Sequence, residues 1–166
     1  AANFISFLGS HRLVLDAFAH RALSGRDLVA LIESRKKNKK QNDPSSPAIN
    51  EAEYRKLEKA LDQWVEEKRY REYDKSREQI ARELNTTKDI LHHYFVTKKG
   101  VDFKTWRTVL RIEEAKRLLL DDKDASTNII AEVSGFSDRS NFHRQFVKIV
   151  GCSPKRWRDS NGNPEL

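Results

Sequence analysis

Two features of the sequence are candidates for chemistry, a pair of adjacent histidines and a single cysteine. His92 and His93 are metal-ligand types, but neighbours on a helix do not share a face, and no Cys or carboxylate pattern completes a site. Cys152 is a potential nucleophile, but no motif places a base beside it. Neither a glycine-rich phosphate loop nor a pair of catalytic carboxylates is visible. The sequence therefore predicts no enzyme activity, no metal and no cofactor.

The distribution of charge instead indicates an anionic partner. Lys and Arg number 32 against 25 Asp and Glu among the 166 residues, which gives a formal net charge of +7. The excess is concentrated in residues 135–158, where six cationic side chains stand against Asp138 alone. A basic excess of this kind favours binding to an anionic surface such as nucleic acid.

Composition limits the class of protein. Hydrophobic residues make up 37% and charged residues 34%, and no apolar run approaches the roughly 18 residues that a membrane-spanning helix needs. One cysteine excludes an internal disulfide and fits a reducing compartment, so we expect the cytoplasm. The low numbers of Pro and Gly, 4 and 6, favour helix over sheet.

The pattern of apolar residues divides the chain into four parts. Residues 1–33 carry apolar positions at helical spacing with a break at Ser24-Gly25, which predicts an N-terminal segment of two short helices. Residues 34–50 are polar and basic and contain two prolines, which predicts a linker. An all-α domain is predicted over residues 51–160, and a frayed tail over residues 161–166.

Start and stop signals define the helices of the predicted domain. The first helix is predicted from Glu51 to about Arg71. Each later helix begins at a residue whose side chain can accept a backbone N–H, and glycine ends two of them. The predicted starts are Ser76, Thr87, Asp102, Ser126, Ser137 or Asp138, and Ser153, and the two glycines are Gly100 and Gly151. The helix after Asp102 is the longest and is predicted to run to about Leu120.

One arrangement occurs twice along the domain. A short helix, a tight turn and a second short helix are predicted at about 76–97 and again at about 126–149. Asn85 interrupts the first pair and Gly135 the second, and both residue types tolerate the left-handed backbone of a tight turn. Two short helices across such a turn are typical of a helix-turn-helix, whose second helix enters the major groove of DNA. Taken alone this pattern is weak, since short helix pairs are common in helical proteins.

Four stretches of the sequence make the interpretation specific. They are Arg111-Ile-Glu-Glu-Ala-Lys-Arg-Leu-Leu-Leu120, Gly135-Phe-Ser-Asp138, Phe142-x-x-x-Phe146 and Gly151-x-Ser-Pro-x-x-Trp-Arg158. Together with the first helix pair, they resemble the DNA-binding domain of AraC-type transcriptional regulators over residues 54–160. The resemblance implies seven helices with two helix-turn-helix units joined by a long helix. That helix, of about 18 residues, would span about 27 Å, against about 34 Å between successive major-groove faces.

The resemblance also implies which side chains meet DNA. The family's base-reading positions fall on Lys88, Asp89, His92 and His93 in the first recognition helix, and on Arg139, Ser140, Asn141, His143 and Arg144 in the second. Arg can bind guanine and Asn can bind adenine, each with two hydrogen bonds. Phosphate contacts are expected from Lys98, Lys99, Lys155 and Arg156, and from the helix starts at Thr87 and Ser137.

Several departures from the family pattern carry consequences. Ser134 stands at a usually apolar position and Ile129 at a usually polar one, so we expect a less well packed helix at 126–134 with Ile129 exposed. Asp89 is acidic in a helix that faces DNA, which leaves two interpretations: it reads cytosine, or the first unit contributes less affinity. Cys152 takes a position that is apolar in the family, so we expect it to pack in the core.

The role of residues 1–50 is open at this point. Their helices dimerise, pack back on the domain, or end a larger upstream region, which in some relatives is a membrane-embedded sensor. The predicted partners are double-stranded DNA, RNA polymerase, a second copy bound through the N-terminal helices, and such an upstream sensor region missing from this chain. We expect the cytoplasm, with a membrane tether in the full-length protein where that sensor is membrane-embedded.

Two functions from different classes follow. The first is a sequence-specific DNA-binding transcription regulator that reads two successive major-groove segments with its two recognition helices. The alternative is a helical protein-interaction module that has lost sequence-specific DNA reading and docks through Ile129 and the N-terminal helices. Asp89 and the modest net charge favour this alternative slightly.

Overall fold

The computed structural model of the chain describes residues 51–163, which contain seven α-helices and no strand. The helices are α1 (Glu51–Glu66), α2 (Arg77–Glu83), α3 (Lys88–Tyr94), α4 (Phe103–Asp121), α5 (Thr127–Val133), α6 (Arg139–Val150) and α7 (Pro154–Asp159). A 3₁₀ turn (Arg69–Arg71) follows α1, and a π-helical segment (Phe95–Lys99) continues α3. The all-α fold with seven helices is therefore confirmed. The helices and linker predicted in residues 1–50, and residues 164–166 of the predicted tail, lie outside the described residues.

Side-chain caps start the helices where the sequence predicts them. Ser76 and Gln79 form the capping box of α2, in which the Ser76 hydroxyl accepts the Gln79 N–H at 3.2 Å. Each such cap stabilises a helix by about 1 kcal/mol. A side-chain oxygen also accepts a backbone N–H at the start of α3, α4, α5 and α7, from Thr87, Asp102, Ser126 and Ser153 respectively. The predicted repeat is present as the pairs α2–α3 and α5–α6.

The first helix is shorter than predicted. It ends at Glu66 rather than near Arg71, because Lys68 adopts a left-handed conformation with φ of 56°. The chain then forms the 3₁₀ turn, which buries the Tyr70 side chain. We call residues 68–72 the crossing segment, since they lead the chain from α1 across α4 towards the first helix-turn-helix.

The long helix α4 contributes to two separate hydrophobic cores. Its first half, from Phe103 to Leu110, packs into a core completed by α1, α2 and α3. Its second half, from Ile112 to Leu119, packs into a core completed by α5 and α6. Ala115, in that second half, has no exposed surface. The helix predicted to join the two units therefore belongs to the interior of both.

Charge fixes the crossing segment to α4. The Glu114 side chain of α4 is only 6% exposed, and its carboxylate is in contact with three cations. The Nζ of Lys68 lies 3.2 Å from it, the Nη2 of Arg117 lies 2.9 Å from it, and Arg71 forms a third ion pair. A carboxylate taken out of water is strongly destabilising unless such partners replace its hydration.

Two arginines of α4 hold the backbone of the same segment. The Nε atoms of Arg111 and Arg107 donate to the Tyr70 carbonyl oxygen at 2.6 and 3.2 Å, and both guanidinium groups also donate to the Glu72 carbonyl. Burial lowers the pKa of both groups, that of Arg111 to about 10, so Arg111 keeps its charge at neutral pH. The crossing segment is thus held through its side chains and through its carbonyls.

The turn of the second helix-turn-helix packs on the crossing segment as well. Gly135 has φ of +95°, and a Cβ at this position would lie 2.5 Å from the carbonyl oxygen of Arg71 and 2.6 Å from its Cα. Only glycine allows the two backbones to approach so closely. The crossing segment therefore contacts α4 and the second unit at once.

Ser134 does not loosen α5. The residue has no exposed surface, and its hydroxyl donates to the Ile130 carbonyl at 2.6 Å, so the buried polar atom is satisfied. The expectation of a less well packed helix is wrong at this position. Ile129 is 53% exposed, as predicted, and Cys152 is buried, where burial raises the pKa of its thiol.

The tail begins later than predicted. Asn161 and Gly162 continue from α7 in a turn, in which the Gly162 N–H donates to the Trp157 carbonyl at 2.9 Å. Lys123 also donates to the Asn161 side chain at 3.3 Å. Residues 161–163 are therefore attached to the domain by hydrogen bonds rather than frayed.

Replacement of Gly135 tests the close approach to the crossing segment. Gly135→Ala should destabilise the fold by clearly more than about 1 kcal/mol, because backbone strain at positive φ adds to a clash with the Arg71 backbone. Gly151→Ala is the matched control, since Gly151 has φ of +87° but nothing within 4 Å of a new Cβ. Urea unfolding of both variants gives the comparison. Equal destabilisation would show that the contact with Arg71 is not tight.

Candidate nucleic-acid interface

The second recognition helix, α6, presents a polar outer face. Phe142 and Phe146 are 1% and 0% exposed and anchor the opposite face in the core. The base-reading residues expected on α6 lie on the solvent side, and only Asn141 among them is half-buried: Arg139, Ser140, Asn141, His143 and Arg144. The side-chain amide oxygen Oδ1 of Asn141 accepts a hydrogen bond from Arg144 Nη2 at 3.0 Å. The structure therefore brings these five residues together on one exposed surface.

The start of α6 differs from the expectation for Ser137. Asp138 caps the helix, since its carboxylate accepts the N–H groups of Ser140 at 3.0 Å and Asn141 at 2.9 Å. Ser137 is exposed and precedes the cap. These two backbone donors are therefore occupied within the chain, and a carboxylate stands where a phosphate was expected. The Thr87 hydroxyl likewise accepts the Ile90 N–H at the start of α3.

The first recognition helix, α3, is partly covered by α1. Lys88, Asp89 and His92 are exposed, whereas His93 is half-buried. The hydroxyl of Tyr54 in α1 lies 2.5 Å from His93 Nδ1 and shares a hydrogen bond with it, and the two rings stack with centroids 6.4 Å apart. His93 is thus directed towards α1 and away from the other three expected base readers.

Ion pairs with α1 also engage the cations expected to contact phosphate in the first unit. Lys98 Nζ lies 2.7 Å from a Glu51 carboxylate oxygen, and Lys99 Nζ lies 3.8 Å from Glu58. The hydrogen bond from Lys98 holds the pKa of the Glu51 carboxyl below its usual range. The first unit therefore presents less free positive charge than its lysines suggest.

The second unit carries its cations differently. Within residues 51–163, Arg139, Arg144 and Lys148 of α6 form no ion pair with a carboxylate. On α7, Lys155 pairs with Asp159 at 2.6 Å but its side chain is 82% exposed, and Arg156 is exposed beside it. The Lys155 side chain is more exposed than those of Lys98 and Lys99, which are 41% and 29% exposed, so solvent weakens its ion pair more. The exposed cations of the second unit are therefore less engaged by carboxylates than those of the first.

The sequence of the chain is similar to those of known transcription regulators. The helix-turn-helix domain family matches residues 80–160. YobQ of Bacillus subtilis, an uncharacterised helix-turn-helix-type transcriptional regulator, is 33% identical over 67 residues, which are 40% of this chain and 27% of that protein. The arabinose operon regulatory protein of Salmonella typhimurium is 32% identical over 79 residues, which are 48% of this chain and 28% of that protein. The chain spans only about a quarter of the length of these relatives.

Solved structures share the fold. The C-terminal domain of the two-component response regulator yesN from Fusobacterium nucleatum is 29% identical, with a TM-score of 0.54 over 61% of this chain and 97% of that chain. A protein from Listeria innocua is 30% identical, with a TM-score of 0.55 over 63% of this chain and 95% of that chain. Residues 80–160 form an AraC-type helix-turn-helix domain.

The AraC-type domain at residues 80–160 confirms the resemblance predicted from the sequence. The family is one of transcription regulators that bind DNA rather than a family of enzymes, and the matched relatives are bacterial. The alternative of an interaction module that has lost DNA reading is not favoured. No helix within residues 51–163 is long and apolar enough to cross a membrane, and this part contains no group of three or more His, Cys, Asp or Glu placed to hold a metal ion.

The structure adds residues that the sequence reasoning missed. Glu114 and Tyr54 lie outside the recognition helices, and their partners Lys68 and His93 are 46 and 39 residues away in the chain. Val96 and Val147 are exposed on the two recognition segments, 52% and 38%, whereas the other large apolar residues there are buried or half-buried. The helical spacing of Val147, two turns after Ser140, was a signal in the sequence that could have found it.

Neutralising one carboxylate of α1 tests the role of its ion pairs. Glu51→Gln should strengthen duplex binding and steepen its salt dependence by up to about one unit of slope, because Lys98 becomes available to a phosphate. The matched control is Glu66→Gln, which removes the same formal charge from an exposed position at the other end of α1. Binding is measured by fluorescence anisotropy over a salt series. Equal effects of the two variants would mean that Lys98 does not reach DNA.

Proposed function

We propose that this chain is a sequence-specific DNA-binding transcription regulator, or the DNA-binding part of one, that reads two successive major-groove segments with α3 and α6. The observation that carries the proposal is the position of α4 in both hydrophobic cores. Its 19 residues span about 28 Å, which is close to the separation of about 34 Å between successive major-groove faces. This length supports the proposal that the two recognition helices lie about one turn of the duplex apart.

The two units are proposed to contribute unequally. In the second unit, Arg139, Asn141 and Arg144 supply the side chains best suited to reading guanine and adenine. In the first, Lys88, Asp89 and His92 are exposed, but Lys88 pairs with Glu78 at 2.8 Å and His93 is engaged by Tyr54. The exposed side chains differ between the units, so the preferred site should be asymmetric, and most specificity should arise at the segment read by α6.

Phosphates are proposed to be bound chiefly by the C-terminal cations. Lys155 and Arg156 stand at the start of α7, where Ser153 and Pro154 set the helix direction. They position the domain on the duplex without distinguishing sequences. Lys98 and Lys99 serve the first unit when their carboxylate partners on α1 release them. In this view the protein acts in the cytoplasm on bacterial DNA.

Partners beyond DNA stay predictions from the sequence. These are contact with RNA polymerase, dimerisation through residues 1–33, and an upstream sensor region, membrane-embedded in some relatives. The DNA-binding proposal does not depend on any of them.

Two substitutions separate base reading from phosphate binding. Arg144→Ala should cost about 1–3 kcal/mol on the preferred site and relax the preference at one base pair, because a two-bond contact to guanine is lost. Lys155→Ala should weaken all sequences about equally and lower the salt slope by about one, because one phosphate contact is lost. Both variants are measured on the preferred site and on its single-base variants over a salt series.

The parent protein provides the reference for this series. Its affinity should fall by orders of magnitude between low and moderate salt, as expected when about 6–10 phosphates are neutralised. A binding constant indifferent to salt would contradict the DNA-binding proposal. If Arg144→Ala weakened every sequence alike, Arg144 would be a phosphate contact, and if it weakened none, α6 would not enter the groove.

A further inference from the structure

Each recognition segment exposes one valine. Val96 is 52% exposed and Val147 is 38% exposed, whereas Phe95 and Phe146, their immediate neighbours in the chain, have no exposed surface. A single exposed apolar side chain is common on protein surfaces and carries no meaning by itself. The meaning of these two depends on where they stand within the two units.

The two valines occupy equivalent positions in the repeat. The buried residue Leu91 precedes Val96 by five residues, and the buried Phe142 precedes Val147 by the same five. Gly100 and Gly151 each follow four residues after the valine and end the helix in a left-handed conformation, with φ of 68° and 87°. The same register pairs His92 with His143, and both histidines are exposed.

Helical spacing places each valine on the face that is expected to meet the bases. Val147 follows Ser140 by seven residues and His143 by four, so the three side chains lie along one side of α6. Val96 follows Asp89 by seven residues and His92 by four, at the point where α3 continues into its π-helical segment. Both recognition segments therefore present a histidine and, one turn later, a valine on their groove-facing side.

The C5-methyl group of thymine is the one apolar group that base pairs display in the major groove, and apolar side chains read it by contact. We propose that Val96 and Val147 each contact a thymine methyl, so that the preferred site carries thymine at the equivalent position of both major-groove segments, about one helical turn apart. This inference rests on the proposed DNA-binding function. It adds a shared element to a site that is otherwise asymmetric.

The other groove-facing residues differ between the two units, so we expect the two DNA segments to share only the thymine contacted by each valine. Where α6 has Ser140, α3 has Asp89, so the base pairs met by the start of each helix should differ. Where α6 has the exposed Arg144, α3 has His93, which is engaged by Tyr54. Only the histidine and the valine are common to both outer faces, and only the valine distinguishes thymine by its methyl group.

The test begins with selection of the preferred duplex from a random library by the full chain. Each candidate thymine is then replaced by deoxyuridine, which removes the methyl group and leaves every hydrogen-bonding group of the base unchanged. Each replacement should weaken binding by about fourfold, the change expected when one apolar carbon is no longer buried. Val147→Ala should abolish sensitivity to deoxyuridine in the segment read by α6 alone, and Val96→Ala should do so in the other segment alone.

Val133→Ala is the matched control. Val133 is 43% exposed but lies at the end of α5, outside both recognition segments, so this variant should keep the affinity and both deoxyuridine effects of the parent. Because all three valines are exposed, none of the substitutions removes a core contact.

The outcomes separate this inference from the function on which it rests. A selected site without thymine one turn apart, or deoxyuridine effects that persist unchanged in Val147→Ala and Val96→Ala, would overturn the thymine inference and leave the regulator proposal intact. Failure to select any sequence, with duplex binding retained, would overturn both. A clear selected site that is indifferent to deoxyuridine would overturn the inference alone.

Discussion

The buried carboxylate of Glu114 is the interaction on which the arrangement of the domain depends. It lies in the middle of α4, and two of its three cationic partners, Lys68 and Arg71, come from the crossing segment. An isolated carboxylate in this position would be strongly destabilising, so it and its cations stabilise each other only when the crossing segment lies in place. The electrostatic requirement of one residue thus fixes the path of the chain between α1 and the first helix-turn-helix.

The same segment carries this constraint to the second unit. The Arg71 backbone fills the space that a side chain at position 135 would occupy. Arg107 and Arg111 hold the carbonyl groups on either side of it, and Arg111, whose pKa burial lowers to about 10, stays charged at neutral pH. The two hydrophobic cores are therefore joined through α4 and through a second connection beside it. Two connections resist bending and twisting better than one helix alone.

The two units have the same architecture but different electrostatics. Helix α1 covers one side of α3, engaging His93 through Tyr54 and Lys98 through Glu51. In the second unit, α6 keeps its arginines on an open face. The recognition helix of the second unit therefore presents more unpaired positive charge than that of the first, whose side chains are engaged by α1. The acidic Asp89 lowers the positive charge of the first unit further.

Local signals in the sequence were sufficient for most of the fold. Capping residues such as Ser76 and Asp102 and the repeated apolar spacing of Leu91–Phe95 and Phe142–Phe146 depend only on nearby residues, and the structure confirms them. The sequence offered two candidates for the cap of α6, Ser137 and Asp138. Asp138 is the cap, because its two carboxylate oxygens accept two backbone N–H groups.

What the sequence could not indicate depends on contacts between distant parts of the chain. Lysine has no marked preference for the left-handed conformation, so nothing marks Lys68 as the end of α1. Glu114 stands in a run of charged residues, so the sequence pattern predicts that its side chain is exposed. The engagement of His93 requires Tyr54, 39 residues earlier. The base-reading and phosphate-binding roles stay predictions, although the structure places most of those residues on exposed surfaces.

The most direct measurement of the central claim is the distance distribution between spin labels on the two units. Labels at Arg82→Cys in α2 and Glu132→Cys in α5 occupy exposed positions, and the buried Cys152 is replaced by alanine in all samples. The account predicts a single narrow distribution that broadens in Glu114→Ala and stays narrow in Glu113→Ala, whose side chain is 37% exposed and pairs with Lys116 at the surface. A broad distribution in the parent, or one that is unchanged by Glu114→Ala in a protein that remains folded, would contradict the claim that this buried carboxylate fixes the two units relative to each other.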